Sequence, residues 1–123
     1  MHELSITQTI VSTVIAEAEK RNAVGVKKIN IVVGELTGFM ADSIEMYYNV
    51  IAKGTIAEGA AINITFVPSR RECIVCGSRF LREPFSFTCP SCGGESKPTD
   101  EGSDCYIETI EITLPDAKQA DGG

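Results

Sequence analysis

Two short units, Cys73-Ile-Val-Cys76-Gly77 and Cys89-Pro-Ser-Cys92-Gly93, constrain this chain more than any other feature. Twelve residues lie between Cys76 and Cys89. Two residues between cysteines let both thiolates reach one ion from a tight turn. The glycine after each pair permits a backbone that aims N–H groups at sulfur. Four thiolates in a tetrahedron suit Zn²⁺ at sulfur distances of about 2.3 Å, and a set of four protein ligands leaves no open position for water. Such a zinc folds a segment and does not catalyse. Residues 70–100, rich in Cys, Gly and Pro, have too few apolar side chains for a core of their own, so metal binding and folding should be coupled there. Phe80, Leu81, Phe85 and Phe87 are expected to form a small apolar cover over the knuckles. A redox dithiol would need one Cys-x-x-Cys opening a helix within a βαβ unit, a context that is missing here. An iron site with the same ligands is the chemical rival. The fifth cysteine, Cys105, stands outside the pattern and reads as a small packed residue.

Around this segment the periodicity is regular. Leu4, Ile10, Val11, Val14, Ile15 and Ala18 recur at helical spacing and predict a helix over 4–21, ended by Asn22 and Gly25. Ile29, Ile31 and Val33 alternate along a strand at 27–34. Asp42 reads as the N-cap of a second helix over 43–53, with Glu45 three residues on as its capping-box partner. Ile44, Tyr47, Tyr48 and Ile51 form its apolar side, and Gly54 stops it. Strands follow at 61–67, ended by Pro68, and at 105–114, ended by Pro115. The expected fold is α+β: two helices packed on a small three-stranded sheet, with an inserted zinc-ribbon-like zinc-binding domain. The domains are then 1–69 plus 101–115, the insert 70–100, and a loose tail at 116–123.

Charge narrows the function. Among 123 residues, 17 are acidic and 11 are Lys or Arg, a net charge of −6. That balance disfavours general nucleic-acid binding and anionic membrane surfaces. No apolar run reaches the roughly 18 residues of a membrane span. Met1 to Ile6 lacks the basic and apolar regions of a signal peptide, so a cytoplasmic protein is expected. In that reducing compartment, five cysteines read as ligands before disulfides.

The only histidine is His2. The Met1 α-amino group, the His2 amide nitrogen and the imidazole Nδ1 can close fused chelate rings around one ion. Such nitrogen-rich sets favour planar Ni(II) or Cu(II). The Glu3 amide or carboxylate could complete the set. The plain alternative is that Met1-His2-Glu3 only leads into the first helix.

Taken in order, Met1-His2-Glu3-Leu4-Ser5, Val33-Gly34-Glu35-Leu36, Gly54-Thr55 with Ala57-Glu58-Gly59, the double Cys-x-x-Cys and a final strand with Ile110-Glu111 resemble the HypA/HybF family. The resemblance runs over essentially the whole chain. It implies a nickel metallochaperone of [NiFe]-hydrogenase maturation, not an enzyme. It implies weakly held Ni(II) at His2, with Met1 and Glu3 adjacent, and structural Zn(II) at Cys73, Cys76, Cys89 and Cys92. It further implies a HypB-type GTPase and the hydrogenase large-subunit precursor as partners, and in some bacteria urease maturation factors. An acidic residue at the position of Asp42 is also implicated near the family's nickel site, which makes Asp42 a candidate ligand as well as a cap. Glu35 is either a surface residue for partner contact or a plain loop residue. Some relatives carry a histidine beside the zinc cysteines; the insert here has none. The competing class is a zinc-ribbon adaptor for a protein or nucleic acid, supported by Arg70, Arg71, Arg79 and Arg82 in or beside the insert.

Overall fold

The structure, a computed structural model, describes residues 3–83 and 86–115. Helix α1 (Glu3–Lys20) leads to strand β1 (Gly25–Gly34), a single 3-10 turn (Glu35–Thr37), helix α2 (Ala41–Ile51) and strand β2 (Ala61–Val67). Three short strands follow, β3 (Arg70–Cys73), β4 (Arg79–Leu81) and β5 (Ser96–Pro98), before β6 (Cys105–Thr113). They form two three-stranded sheets, ordered β2-β1-β6 and β4-β3-β5. The first sheet is mixed: β1 runs parallel to β2 and antiparallel to β6. The α+β class with two helices on a small three-stranded sheet stands as expected.

The core lies between the first sheet and its helices. Ile29, Ile31 and Val33, on one face of β1, are fully buried against Val14 and Ala18 of α1 and Ile44 and Tyr48 of α2. The outer strands add Ile62 and Ile64 from β2 and Ile107, Ile110 and Ile112 from β6, all partly buried. The opposite face carries a polar row beside the buried Val32. Asn63 Nδ2 donates to Asn30 Oδ1 at 2.9 Å, and Asn30 Nδ2 donates to Thr109 Oγ1 at 2.7 Å, a row that crosses all three strands.

Two expectations for the helices need correction. Leu4 is 46% exposed, and Glu3 and Thr7 take the inward positions of the first two turns of α1 instead. Asp42 is not the N-cap of α2, and no Asp42–Glu45 capping box forms. The helix starts earlier, at Ala41, so Met40 occupies the cap position and Asp42 lies in the first turn. Asn22, with φ of 57°, ends α1 as the spacing indicated; the Ala23 amide reaches back to the Ala18 carbonyl at 2.9 Å.

The path between the two sheets is closely bonded. The Gly34 amide donates to the Asp104 carbonyl and the Leu36 amide to the Gly102 carbonyl, both at 2.8 Å. Glu35 Oε1 accepts the amide of buried Ser69 at 2.7 Å. Glu35 thereby holds the segment leading into the second sheet.

Candidate metal centres

Each cysteine pair sits on a tight turn of the same design. The Gly77 amide donates to the Cys73 carbonyl at 3.0 Å, and the Gly93 amide to the Cys89 carbonyl at 2.9 Å. Both glycines need positive φ, 75° and 76°, where an L side chain is strained. This geometry turns amides onto sulfur. Val75 and Cys76 each aim an N–H at Cys73 Sγ from 3.3 Å, and the Ser91 amide lies 3.4 Å from Cys89 Sγ. The knuckles are joined by the Ile74 amide, which donates to the Glu95 carbonyl at 2.9 Å.

The four sulfurs lie within 4.8 Å of one another. Cys73 and Cys92 are 3.4 Å apart, and Cys76 and Cys89 are 3.8 Å apart. A tetrahedron with metal–sulfur bonds of about 2.3 Å requires sulfurs roughly 3.8 Å apart, so the set fits a zinc-sized ion. Cys73 and Cys89 are buried, while Cys76 and Cys92 face solvent. Backbone amides and neighbouring sulfurs, not burial, split their acidities. The Cys76 amide lowers the Cys73 thiol to about 6. The Cys92 amide likewise lowers Cys89. Cys92 has the Gly94 amide favouring its thiolate, but the sulfurs of Cys73 and Cys76 push it up to about 12. Cys76 is also raised: the Ser78 amide favours its thiolate, but the sulfurs of Cys73 and Cys89 and burial together outweigh it. Thiolates this close repel one another, and a divalent cation between them removes that obstacle.

Of the four residues expected to cover the knuckles, Phe80 is half-buried and, with Leu81, lines a cavity beside Cys89. Leu81 and Phe87 are 49% and 57% exposed. Phe87 instead lies under the Arg71 guanidinium, 4.6 Å from the ring centre, and Phe85 lies outside the described residues. Cys73 and Cys89 are the only buried side chains of residues 70–98 among the described residues. Cys105 is remote from them in the fold. It pairs with Val33 across β1 and β6 and is half buried beside the main core, and burial raises its thiol.

The second expected centre is at the amino terminus. Met1 and His2 lie outside the described residues. Glu3 is 6% exposed, and its Oε2 accepts the Met40 amide at 3.0 Å. The chain's amino-terminal charge, and then the Met40 amide, lower the Glu3 carboxyl to about 2. Asp42 is exposed two residues beyond Met40. The Glu3 bond thus brings the start of α1 to the start of α2, which carries Asp42. Sequence reasoning missed this bond because its partners lie 37 residues apart and no local pattern marks them.

A family model described as "Hydrogenase/urease nickel incorporation, metallochaperone, hypA" matches residues 1–112. The chain is 42% identical over 113 residues to hydrogenase maturation factor HypA of Caldanaerobacter subterraneus, covering 91% of this chain and 99% of that one. It is 37% identical over 123 residues to HypA of Methanothermobacter thermautotrophicus, covering 94% and 100%. The solution structure of the Ni metallochaperone HypA from Helicobacter pylori shares the fold, with a TM-score of 0.61 at 16% identity over 92% of this chain and 98% of that one. A second solution structure of a HypA protein has a TM-score of 0.66 at 17% identity, covering 94% and 98%. With a match running from the first residue through the last strand, and a cysteine cluster built to hold metal, this chain belongs to the HypA family of nickel metallochaperones that serve hydrogenase maturation.

Proposed function

We propose that this chain binds one Ni(II) at its amino terminus and delivers it for [NiFe]-hydrogenase maturation, while Zn(II) holds Cys73, Cys76, Cys89 and Cys92. The carrying observation is that the family match begins at residue 1, so it includes the chelating start Met1-His2. The Met1 amine, the His2 amide and the His2 imidazole supply three nitrogens; Glu3 and Asp42 are the nearby candidates for completing the set. Zinc, when bound, contributes charge neutralisation and shape. The chain's own part is to aim backbone amides at the sulfurs and to fill every ligand position. Residues 70–100 then act as a metal-folded domain set into a nickel-binding unit of 1–69 plus 101–115. The protein is a carrier and not an enzyme. A HypB-type GTPase, the hydrogenase large-subunit precursor and, where present, urease maturation factors are the proposed partners, in the cytoplasm.

A nickel carrier must release its cargo. The imidazole ligates only when neutral, and its ordinary pKa is about 6.5, so nickel binding should weaken as pH falls from about 7.5 to 5.5. Metal analysis of untagged protein should find one zinc as purified and one further nickel site. His2→Ala, or an extension before Met1, should abolish the nickel site and leave zinc. Normal nickel binding by His2→Ala would overturn the assignment.

The arginines do not favour the adaptor alternative. Arg70 pairs with Glu101 at 2.9 Å, and Arg79 lies 3.3 Å from Glu72 and 3.4 Å from Glu101. Arg71 donates to Ser96 at 2.7 Å. Three of the four cations are thus engaged within the chain. Oligonucleotide binding tighter than nickel binding would reverse this preference.

A further inference from the structure

We infer that the outer edge of β6 is a docking site for an extended, lysine- or arginine-bearing segment of a partner protein, which adds there as a fourth strand. β6 ends the first sheet, ordered β2-β1-β6, so only one of its two edges is paired among the described residues. The Asp104 and Thr113 carbonyls face β1, where they accept the Gly34 and Val24 amides at 2.8 and 2.7 Å. Successive residues of a strand turn their backbone groups to opposite sides. Ile112 and Ile110 therefore aim theirs away from β1, at the open edge. A row of free N–H and C=O groups of this kind is a template for another chain. The register skips Glu108 between Thr109 and Ile107, so the regular stretch of this edge starts at Thr109.

A groove accompanies the edge. It has a volume of about 470 Å³ and runs between Thr13, Glu17 and Arg21 of α1 and Ile107, Ile110 and Ile112 of β6. The three isoleucines are only partly buried, so apolar surface remains for incoming side chains. Backbone bonds along an edge, with space for alternate side chains, are what strand addition requires. Charge selects the occupant. β6 carries Glu108 and Glu111 and no Lys or Arg. Arg21 is the one cation of the groove lining, and it lies 3.7 Å from Glu17. A second copy would set β6 acids against β6 acids, and like charges directly opposite weaken a strand pair, whereas opposite charges support it. Residues 116–123 are no better suited, with two Asp against one Lys and nothing apolar larger than Ala. A strand with apolar residues on one side and cations on the other satisfies both the groove and the acids.

The probe is the blocked peptide Lys-Val-Lys-Val-Lys-Val-Lys, titrated into full-length, zinc-loaded protein. Binding should slow hydrogen exchange at the Ile110 and Ile112 amides and leave the β2 amides unchanged. The same peptide with Glu in place of Lys should bind at least about tenfold more weakly. Methylating alternate backbone nitrogens removes hydrogen bonds along one edge of the peptide and keeps its charge. Of two such peptides, methylated at every Val or at every inner Lys, one should bind within about threefold of the parent and the other at least about tenfold more weakly. Equal binding of the two means charge attraction without strand addition and overturns the inference. Protection of Ile110 and Ile112 before any peptide is added overturns it too, because a second copy or the chain itself then fills the edge. The double variant Glu108→Gln with Glu111→Gln changes only exposed side chains. It should weaken the Lys peptide at least about threefold, and unchanged affinity discards the basic occupant.

Discussion

Gly34 occupies a point where no other residue fits. A Cβ built there would lie 2.1 Å from the Gly102 carbonyl oxygen. The obstacle is backbone, so no side chain can rotate away to relieve it. Gly102 is constrained in turn: its φ is 82°, and a Cβ would meet the Val67 carbonyl oxygen at 3.0 Å. The two glycines let the strand β1 end, the segment leaving β2 and the segment returning to β6 pass against one another. Gly34→Ala should therefore destabilise the protein by about 2 kcal/mol or more, in the upper part of the range for overpacked sites. Gly25 begins the same strand, but its added Cβ would meet only the Thr113 Cβ at 3.9 Å, an ordinary contact. Gly25→Ala should shift stability by less than about 1 kcal/mol. Urea unfolding of both variants checks the contrast, and equal midpoints would refute it.

At the scale of elements, α2 is held at its far end by Tyr48. This side chain is fully buried, and its hydroxyl donates to the Ala57 carbonyl at 2.7 Å, tying the helix to the turn that leads to β2. Burial pushes the phenol up to about 12. The folded state therefore keeps its proton more tightly than the unfolded state, whose tyrosine titrates near 10. The sign follows: this contribution is complete below about pH 10 and is lost as pH rises towards 12. Tyr48→Phe should be less stable near neutrality by about 1 kcal/mol, because the Ala57 carbonyl loses its donor. It should also lose less further stability than wild type between about pH 9 and 11, which denaturation midpoints across that range will show. Much of this element structure was legible beforehand. The limits of β2 agree with those read from alternation, because Pro68 terminates that pattern locally. The cysteine cluster was legible for the same reason, since both knuckles are complete within five residues. What escaped was non-local. Asp42 satisfied the local rule for a cap, but the amide at Met40 was already served by Glu3 from the other helix. Glu35 was ambiguous for the same reason: its partner Ser69 is 34 residues away.

Across the whole molecule, the two sheets owe their stability to different physics. The first has a continuous apolar core between strands and helices, with Ile29, Ile31, Val33, Ile44 and Tyr48 all fully buried. The second has strands of only three or four residues, and its buried side chains among the described residues are Cys73 and Cys89. Hydrogen bonds in such short strands do not repay the conformational entropy of ordering them without a further source of free energy. A metal bound by four thiolates supplies it, because it binds the folded knuckles far better than the open chain. Exhaustive chelation should then release the second sheet alone. Amides of 70–83 and 86–98 should lose hydrogen-exchange protection, while those of β1, β2 and β6 keep most of theirs. Restoring zinc should restore protection to the same amides. Cys73→Ser should reproduce the chelated pattern without chelator, because three thiolates and a hydroxyl are a poorer set for zinc. Global unfolding on chelation would mean that the bonds at Gly34, Glu35 and Gly102 make the main core depend on the metal. Unchanged protection would mean that the knuckles hold without it. Loss confined to the second sheet would leave the proposed nickel-binding unit folded with or without zinc.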